Sequence, residues 1–166
     1  MYEYKCEIVR VVDGDTVDVD IDLGFGVWMR NERVRLHGID TPESRTRDGV
    51  EKIFGKLASS VVTHFLPHGS TQTLVTIKDN VGKYGRVLGK FKIHDSKNDA
   101  EMFLNDWLIR EHYAVAYTGQ SKGNVQDTHL ENYQKLFENT EVYTPLTQKE
   151  FDKYISDMRS NTTWYD

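Results

Sequence analysis

The chain has 166 residues, a mass of 19.3 kDa, 38% hydrophobic and 11% aromatic content, and a formal net charge of -5. That is enough apolar material for one self-sufficient core, and the acidic balance argues against indiscriminate nucleic-acid binding, which depends on phosphates neutralised by Lys and Arg. The single cysteine, Cys6, excludes an internal disulfide and a cysteine-based metal site and reads as a small buried hydrophobe.

From Ile8 to Leu23 two runs alternate with period two. In the second, Asp15, Val17, Val19 and Ile21 share one face, while Asp18, Asp20 and Asp22 share the other and read as a wet strand face. Asp15 is thereby placed on the apolar side, where a carboxylate is costly unless a cation or strong donors meet it. Leu23 to Val27 turns the chain, and Met29 to Ile39 returns as a third strand ending in an Asp-Thr-Pro-Glu loop. From Gly49 to Leu66 the period changes to 3.6, with Val50, Ile53, Phe54, Leu57, Ala58, Val61, Val62 and Phe65 in one stripe, a cap at Asp48 and Glu51, and a stop at Pro67. Thr71 to Lys78 and Val87 to Ile93 read as two more strands, joined by a turn over 80–85 that presents Arg86. Short helices are expected over Leu104–Glu111 and Leu130–Phe137, separated by an extended Tyr113–Tyr117 and a polar loop, Thr118–Asn124. Thr147 and Glu150 form a capping box ahead of a last helix bearing Phe151, Tyr154, Ile155 and Met158.

Five strands, a helix after the third and more helices at the end suit an α+β, mainly β fold: a five-stranded Greek-key barrel of the oligonucleotide/oligosaccharide-binding type with three or four helices. A barrel domain over 1–140 and a C-terminal helical extension over 141–166 are expected. The N-terminus lacks an export signal and no stretch is apolar enough to cross a bilayer, so the expected location is cytoplasmic, away from membranes. Between residues 51 and 100 eight basic residues stand against four acidic ones, which is either a basic face on an acidic protein or ordinary solvated surface.

The chemistry concentrates in three stretches. Asp13-Gly14-Asp15-Thr16 and Asp40-Thr41-Pro42-Glu43 bring hard oxygen donors, and oxygen-only ligation favours calcium or magnesium over zinc. Pro42 biases Thr41 toward extended backbone, fixing where its carbonyl points, and Glu43 is free to hold a water. Arg35 and Arg86 can each give two parallel hydrogen bonds to phosphate oxygens. Phosphodiester hydrolysis needs these parts: a water, a cation or fixed donors, and charge stabilisation at phosphorus.

These stretches, Val12 to Val17, Arg35 to Glu43 and Lys83-Tyr84-Gly85-Arg86, resemble the staphylococcal nuclease (thermonuclease) family from about residue 5 to about residue 118, Val115-Ala116-Tyr117 included. The resemblance implies the barrel fold and calcium-dependent hydrolysis of DNA and RNA to products with 3'-phosphate ends. It implies Asp15, Asp40 and the Thr41 carbonyl as calcium ligands, Asp13 as an acidic neighbour of the metal, and Glu43 as general base. Arg35 and Arg86 match the two arginines on the scissile phosphate, and Lys83, Tyr84 and Tyr117 match residues of the nucleotide pocket. Gly119 stands where the family has a second tyrosine, and the third-helix region is acidic and aromatic instead of basic. The six histidines are assigned no chemistry. The competing readings are a nucleic-acid-binding module without catalysis and an adaptor acting through 141–166. DNA against RNA and oligomeric state stay open.

Overall fold

The computed structural model describes residues 2–81 and 87–160. Its elements in chain order are β1 (Tyr2–Asp13), β2 (Thr16–Asp22), β3 (Trp28–Leu36), β4 (Ile39–Asp40), α1 (Gly49–Phe65), β5 (Thr71–Val81), β6 (Val87–Asp95), β7 (Ala100–Phe103), α2 (Leu104–Arg110), β8 (Val115–Ala116), α3 (Lys122–Glu138) and α4 (Gln148–Ser160). Five long strands close a barrel. β1 pairs antiparallel with β2 and β5, β2 with β3, and β5 with β6, and the ring shuts where β3 runs parallel to β6 through Val34–Leu36 and Val87–Gly89. β1 serves two neighbours because bulges between Ile8 and Arg10 and between Val11 and Asp13 bend it out of one plane. The expected barrel is therefore the observed one; β8 falls inside the expected extended Tyr113–Tyr117, the expected third strand is split into β3 and β4, and β7 was not anticipated.

Two clusters organise the interior. Cys6, Ile8, Val17, Val19, Leu36, Leu74 and Phe91 fill the barrel, and burial pushes the Cys6 thiol up to about 12, as suits an inert buried group. Phe54 of α1 joins Tyr133 and Leu136 of α3 and Phe151, Ile155 and Met158 of α4 in the second. α1 lies between the two, with Val62 on the barrel and Phe54 under the later helices. Among the described residues no helix is long and apolar enough to cross a membrane.

Three local expectations change. Asp18 is buried, not wet: Arg33 donates to both its oxygens at 2.9 and 3.1 Å, Arg10 adds a third bond, and these hold its carboxyl below the usual range. Helix α3 starts at Lys122, inside the expected polar loop, because the Ser121 hydroxyl accepts from the Asn124 N–H and caps it. The cap of α1 is Asp48 alone. Its Oδ1 accepts from Val50 and Glu51, but its own N–H is taken by the Thr46 hydroxyl, so the box with Glu51 does not close. The box on α4 does close, by Thr147 N–H to Glu150 and Glu150 N–H to Thr147 Oγ1. Trp28 opens β3 with the Arg30 guanidinium 4.6 Å over its ring, and Trp164 lies outside the described residues.

Phe151 stacks on Phe137 at 4.3 Å and meets Phe54 edge-on. Phe151→Ala is expected to cost about 3–5 kcal/mol in urea unfolding. Asp95, buried at the β6–β7 turn, accepts two hydrogen bonds from Arg110 at 2.7 and 3.0 Å, which hold its carboxyl well below the usual carboxylate range. A folded value below the unfolded one stabilises the fold above the ordinary carboxylate range and is lost as pH falls through the depressed value. Asp95→Asn is expected to lower the melting temperature at pH 7 and to flatten its decline from about pH 5 downward.

Candidate active site

The β1–β2 turn, the end of β3 and the loop after β4 meet at one end of the barrel. Asp15 sits in the turn with its side chain 14% exposed, and the Arg35 Nη1 on β3 reaches its Oδ2 at 3.0 Å. Register explains the meeting: Thr16 lies opposite Arg35, and the Leu36 N–H donates to the Asp15 carbonyl. The Arg35 Nη2 donates to the Ile39 carbonyl at 3.0 Å and lies 3.9 Å from Asp40 Oδ1. The Thr41 N–H points at Asp15 Oδ2 from 3.4 Å, and Thr41 is buried. One guanidinium thus ties both acidic loops together.

Glu43 leaves this cluster on a loop pressed against α1. A Cβ on Gly55 would fall 2.5 Å from the Glu43 carbonyl oxygen, so only glycine admits the approach. The Ser44 hydroxyl donates to Asp13 Oδ1 at 2.6 Å, tying the loop to the β1–β2 turn. Partial loss of hydration, then the charges of Asp13, Asp15 and Asp40, raise the Glu43 carboxyl above its ordinary range. Gly14 gives the β1–β2 turn the same close fit, since a Cβ there would meet Ala58 at 2.9 Å and the Thr41 hydroxyl at 3.0 Å.

Tyr117 follows β8, which pairs with β4 by Ile39–Ala116 and Asp40–Val115, and its N–H donates to the Gly38 carbonyl. Its ring is half exposed beside the strand that ends in Asp40. Lys83, Tyr84 and Arg86 lie outside the described residues. Of the residues singled out in the sequence, Asp13, Asp15, Arg35, Asp40, Thr41 and Glu43 lie together at this end of the barrel.

The residue not anticipated is His129. Its Nε2 lies 2.8 Å from Asp40 Oδ2, and its side chain is 6% exposed. Nδ1 is buried with no hydrogen-bond partner among the described residues, so Nε2 carries the proton and donates to the carboxylate. The signal was a polar residue in the inward stripe of α3, with Tyr133 and Leu136; a helix starting at Leu130 left His129 outside that stripe.

The set can be tested for a cation from its donors. Asp15, Asp40 and the Thr41 carbonyl offer only hard oxygens, and a bound cation would relieve the like charge of the neighbouring aspartates while leaving the partial burial that is the larger cause of the raised Glu43 carboxyl. Among the described residues no three His, Cys, Asp or Glu side chains are grouped to hold a metal ion, so two carboxylates and one carbonyl would have to rely on water for the rest of the coordination, as calcium and magnesium accept. The residues fit a hard divalent cation.

The model of the staphylococcal nuclease homologue family matches residues 33–141. The chain belongs to this family. It is 36% identical over 109 residues to a thermonuclease of Staphylococcus intermedius, an alignment covering 66% of this chain and 57% of that protein. It is 41% identical over 118 residues to the protein ParB of Escherichia coli, covering 69% and 58%, and 29% identical over 136 residues to a micrococcal nuclease of Shigella flexneri, covering 80% and 68%. The chain thus spans under two thirds of the first two relatives. The family match begins after Asp13 and Asp15 and runs beyond Tyr117 through α3, past the point where the sequence motifs fade.

Replacing His129 by leucine removes the donor on Asp40. By titration calorimetry the dissociation constant for calcium is expected to rise roughly ten- to a hundredfold, with no such change in His68→Leu, far from the cluster.

Proposed function

We propose that the protein is a metal-dependent nuclease that hydrolyses phosphodiesters of DNA or RNA and leaves 3'-phosphate ends, with calcium as the cation. The observation that carries this reading is the convergence of Arg35, Asp15, Asp40, Thr41 and Glu43 at one end of the barrel, in a chain of the staphylococcal nuclease family.

Asp15, Asp40 and the Thr41 carbonyl would hold the cation, which when bound supplies charge neutralisation to the phosphate and positions water. Arg35, fixed by the Ile39 carbonyl and Asp15, offers N–H groups to a non-bridging phosphate oxygen with no reorganisation at the moment of reaction. Glu43, with its carboxyl raised, is a better proton acceptor near neutral pH than an ordinary glutamate. It takes a proton from water as the water oxygen bonds to phosphorus. The bond from phosphorus to the 5'-oxygen breaks, and that oxygen leaves as a hydroxyl with a proton taken from solvent water, to which Glu43 returns the proton it took. Arg86 would be the second donor to the phosphate, and Lys83, Tyr84 and Tyr117 would hold the nucleotide.

The test is cleavage of labelled single-stranded DNA and RNA with calcium, magnesium or chelator, with product ends identified. Calcium-dependent cleavage is expected, reduced on the order of 100- to 10,000-fold in Glu43→Gln and roughly 100- to 1,000-fold in Arg35→Ala. Binding without cleavage under every metal would instead make the protein a binding module. Gly55→Ala displaces the Glu43 loop and is expected to lower kcat on the order of 100-fold with calcium affinity retained.

A further inference from the structure

On the far side of the Glu43 loop lies an open groove of about 750 Å³ between that loop and the outer face of α1. Arg45, Arg47, Lys52 and Lys56 line it, together with Ser44 and Ser59, and no carboxylate does. This is four cations in one concavity on a chain of net charge -5. Among the described residues none of the four makes an ion pair, although the chain pairs most other arginines with acids.

The arrangement is directional. Lys52, Lys56 and Ser59 are spaced i, i+4, i+7 and share one face of α1, and the lining over 52–63 extends roughly 16 Å at 1.5 Å per residue. Its other wall is the loop that begins at Ser44, whose hydroxyl is bonded to Asp13 beside the acidic cluster. The groove therefore leads away from Glu43.

We propose that this groove is a phosphate track: it takes the sugar-phosphate backbone of the nucleic-acid substrate several nucleotides beyond the scissile bond, through Arg45, Arg47, Lys52 and Lys56. The inference rests on the nuclease reading for its substrate. It assigns the basic residues at the start of the 51–100 segment to one binding surface, and it makes length of substrate, not base identity, what the groove reads, since contacts to phosphates carry no sequence information.

Two measurements on the full chain test it. In the first, kcat/KM is compared for a single-stranded DNA dodecamer and for a thymidine aryl phosphodiester too short to reach the groove. The ratio is expected to fall roughly tenfold at 0.1 M salt in the double variant Lys52→Gln/Lys56→Gln, and to hold in Lys149→Gln on α4. In the second, binding of the labelled dodecamer to Glu43→Gln is followed against salt. Adding the two lysine substitutions is expected to reduce the slope of log K on log salt by about 0.7 per lost phosphate contact. The second decides the groove even if the protein cleaves neither substrate, an outcome that would overturn the nuclease reading alone. An unchanged ratio with an unchanged slope overturns the phosphate track. So does an acidic peptide, poly-glutamate, that binds wild type, fails to bind the double variant, and leaves the DNA slope the same in both, which would put a protein partner in the groove.

Discussion

A half-buried arginine that answers two carboxylates and a backbone carbonyl at once sets the geometry of this molecule's reactive end. Arg35 reaches Asp15 at 3.0 Å, Asp40 at 3.9 Å and the Ile39 carbonyl at 3.0 Å. Without it, the β1–β2 turn and the loop after β4 would carry like charges toward one another with nothing between them. The barrel supplies the position, because Arg35 stands opposite Thr16 on β2 and opposite Leu88 on β6. Asn105 of α2 reinforces the same seam by donating to the carbonyls of His37 and Gly89. Fold and chemistry therefore meet in a few residues of one strand.

The site is also supported from the C-terminal half. His129 of α3 donates to Asp40, Asn132 donates to the Ala114 carbonyl just before β8, and the Tyr154 hydroxyl of α4 donates to Asp48 Oδ2 at 2.7 Å. Asp48 in turn caps α1, which carries Gly55 against the Glu43 loop. Contact passes from α4 to the candidate base through a short chain of hydrogen bonds and packed atoms. The helices after β8 act as a brace behind the acidic cluster, and their acidic and aromatic character suits a packed brace better than a cationic surface.

Much of this was legible in the chain because local signals agreed with one another. The stripe from Val50 to Phe65 and the Thr147/Glu150 box gave α1 and α4 closely, and the family resemblance carried by Val12–Val17 and Arg35–Glu43 implied that Asp15, Arg35, Asp40 and Glu43 act together. Where reading failed, tertiary contacts had overruled a local pattern. Asp18 alternates like an outward strand residue, yet two arginines from neighbouring strands fold over it. The first turn of α3 is Lys-Gly-Asn, poor in helix formers, and is held by the Ser121 cap and by packing. That hidden turn concealed His129, whose role depends on a residue 89 positions earlier.

The parallel seam between β3 and β6 has a kinetic side. Its partners, Val34 with Val87 and Leu36 with Gly89, are separated by more than fifty residues, and α1 and β5 must be laid down before the ring can shut. Contacts of such separation pay their loop entropy before they return any energy, which makes them late and slow in folding. Arg35 belongs to that seam. The local β2–β3 pairing can set Arg35 beside Asp15 early, since Thr16 and Arg35 lie opposite each other in it, whereas the other edge of β3 waits for β6, so the barrel that holds this reactive end in place is completed last.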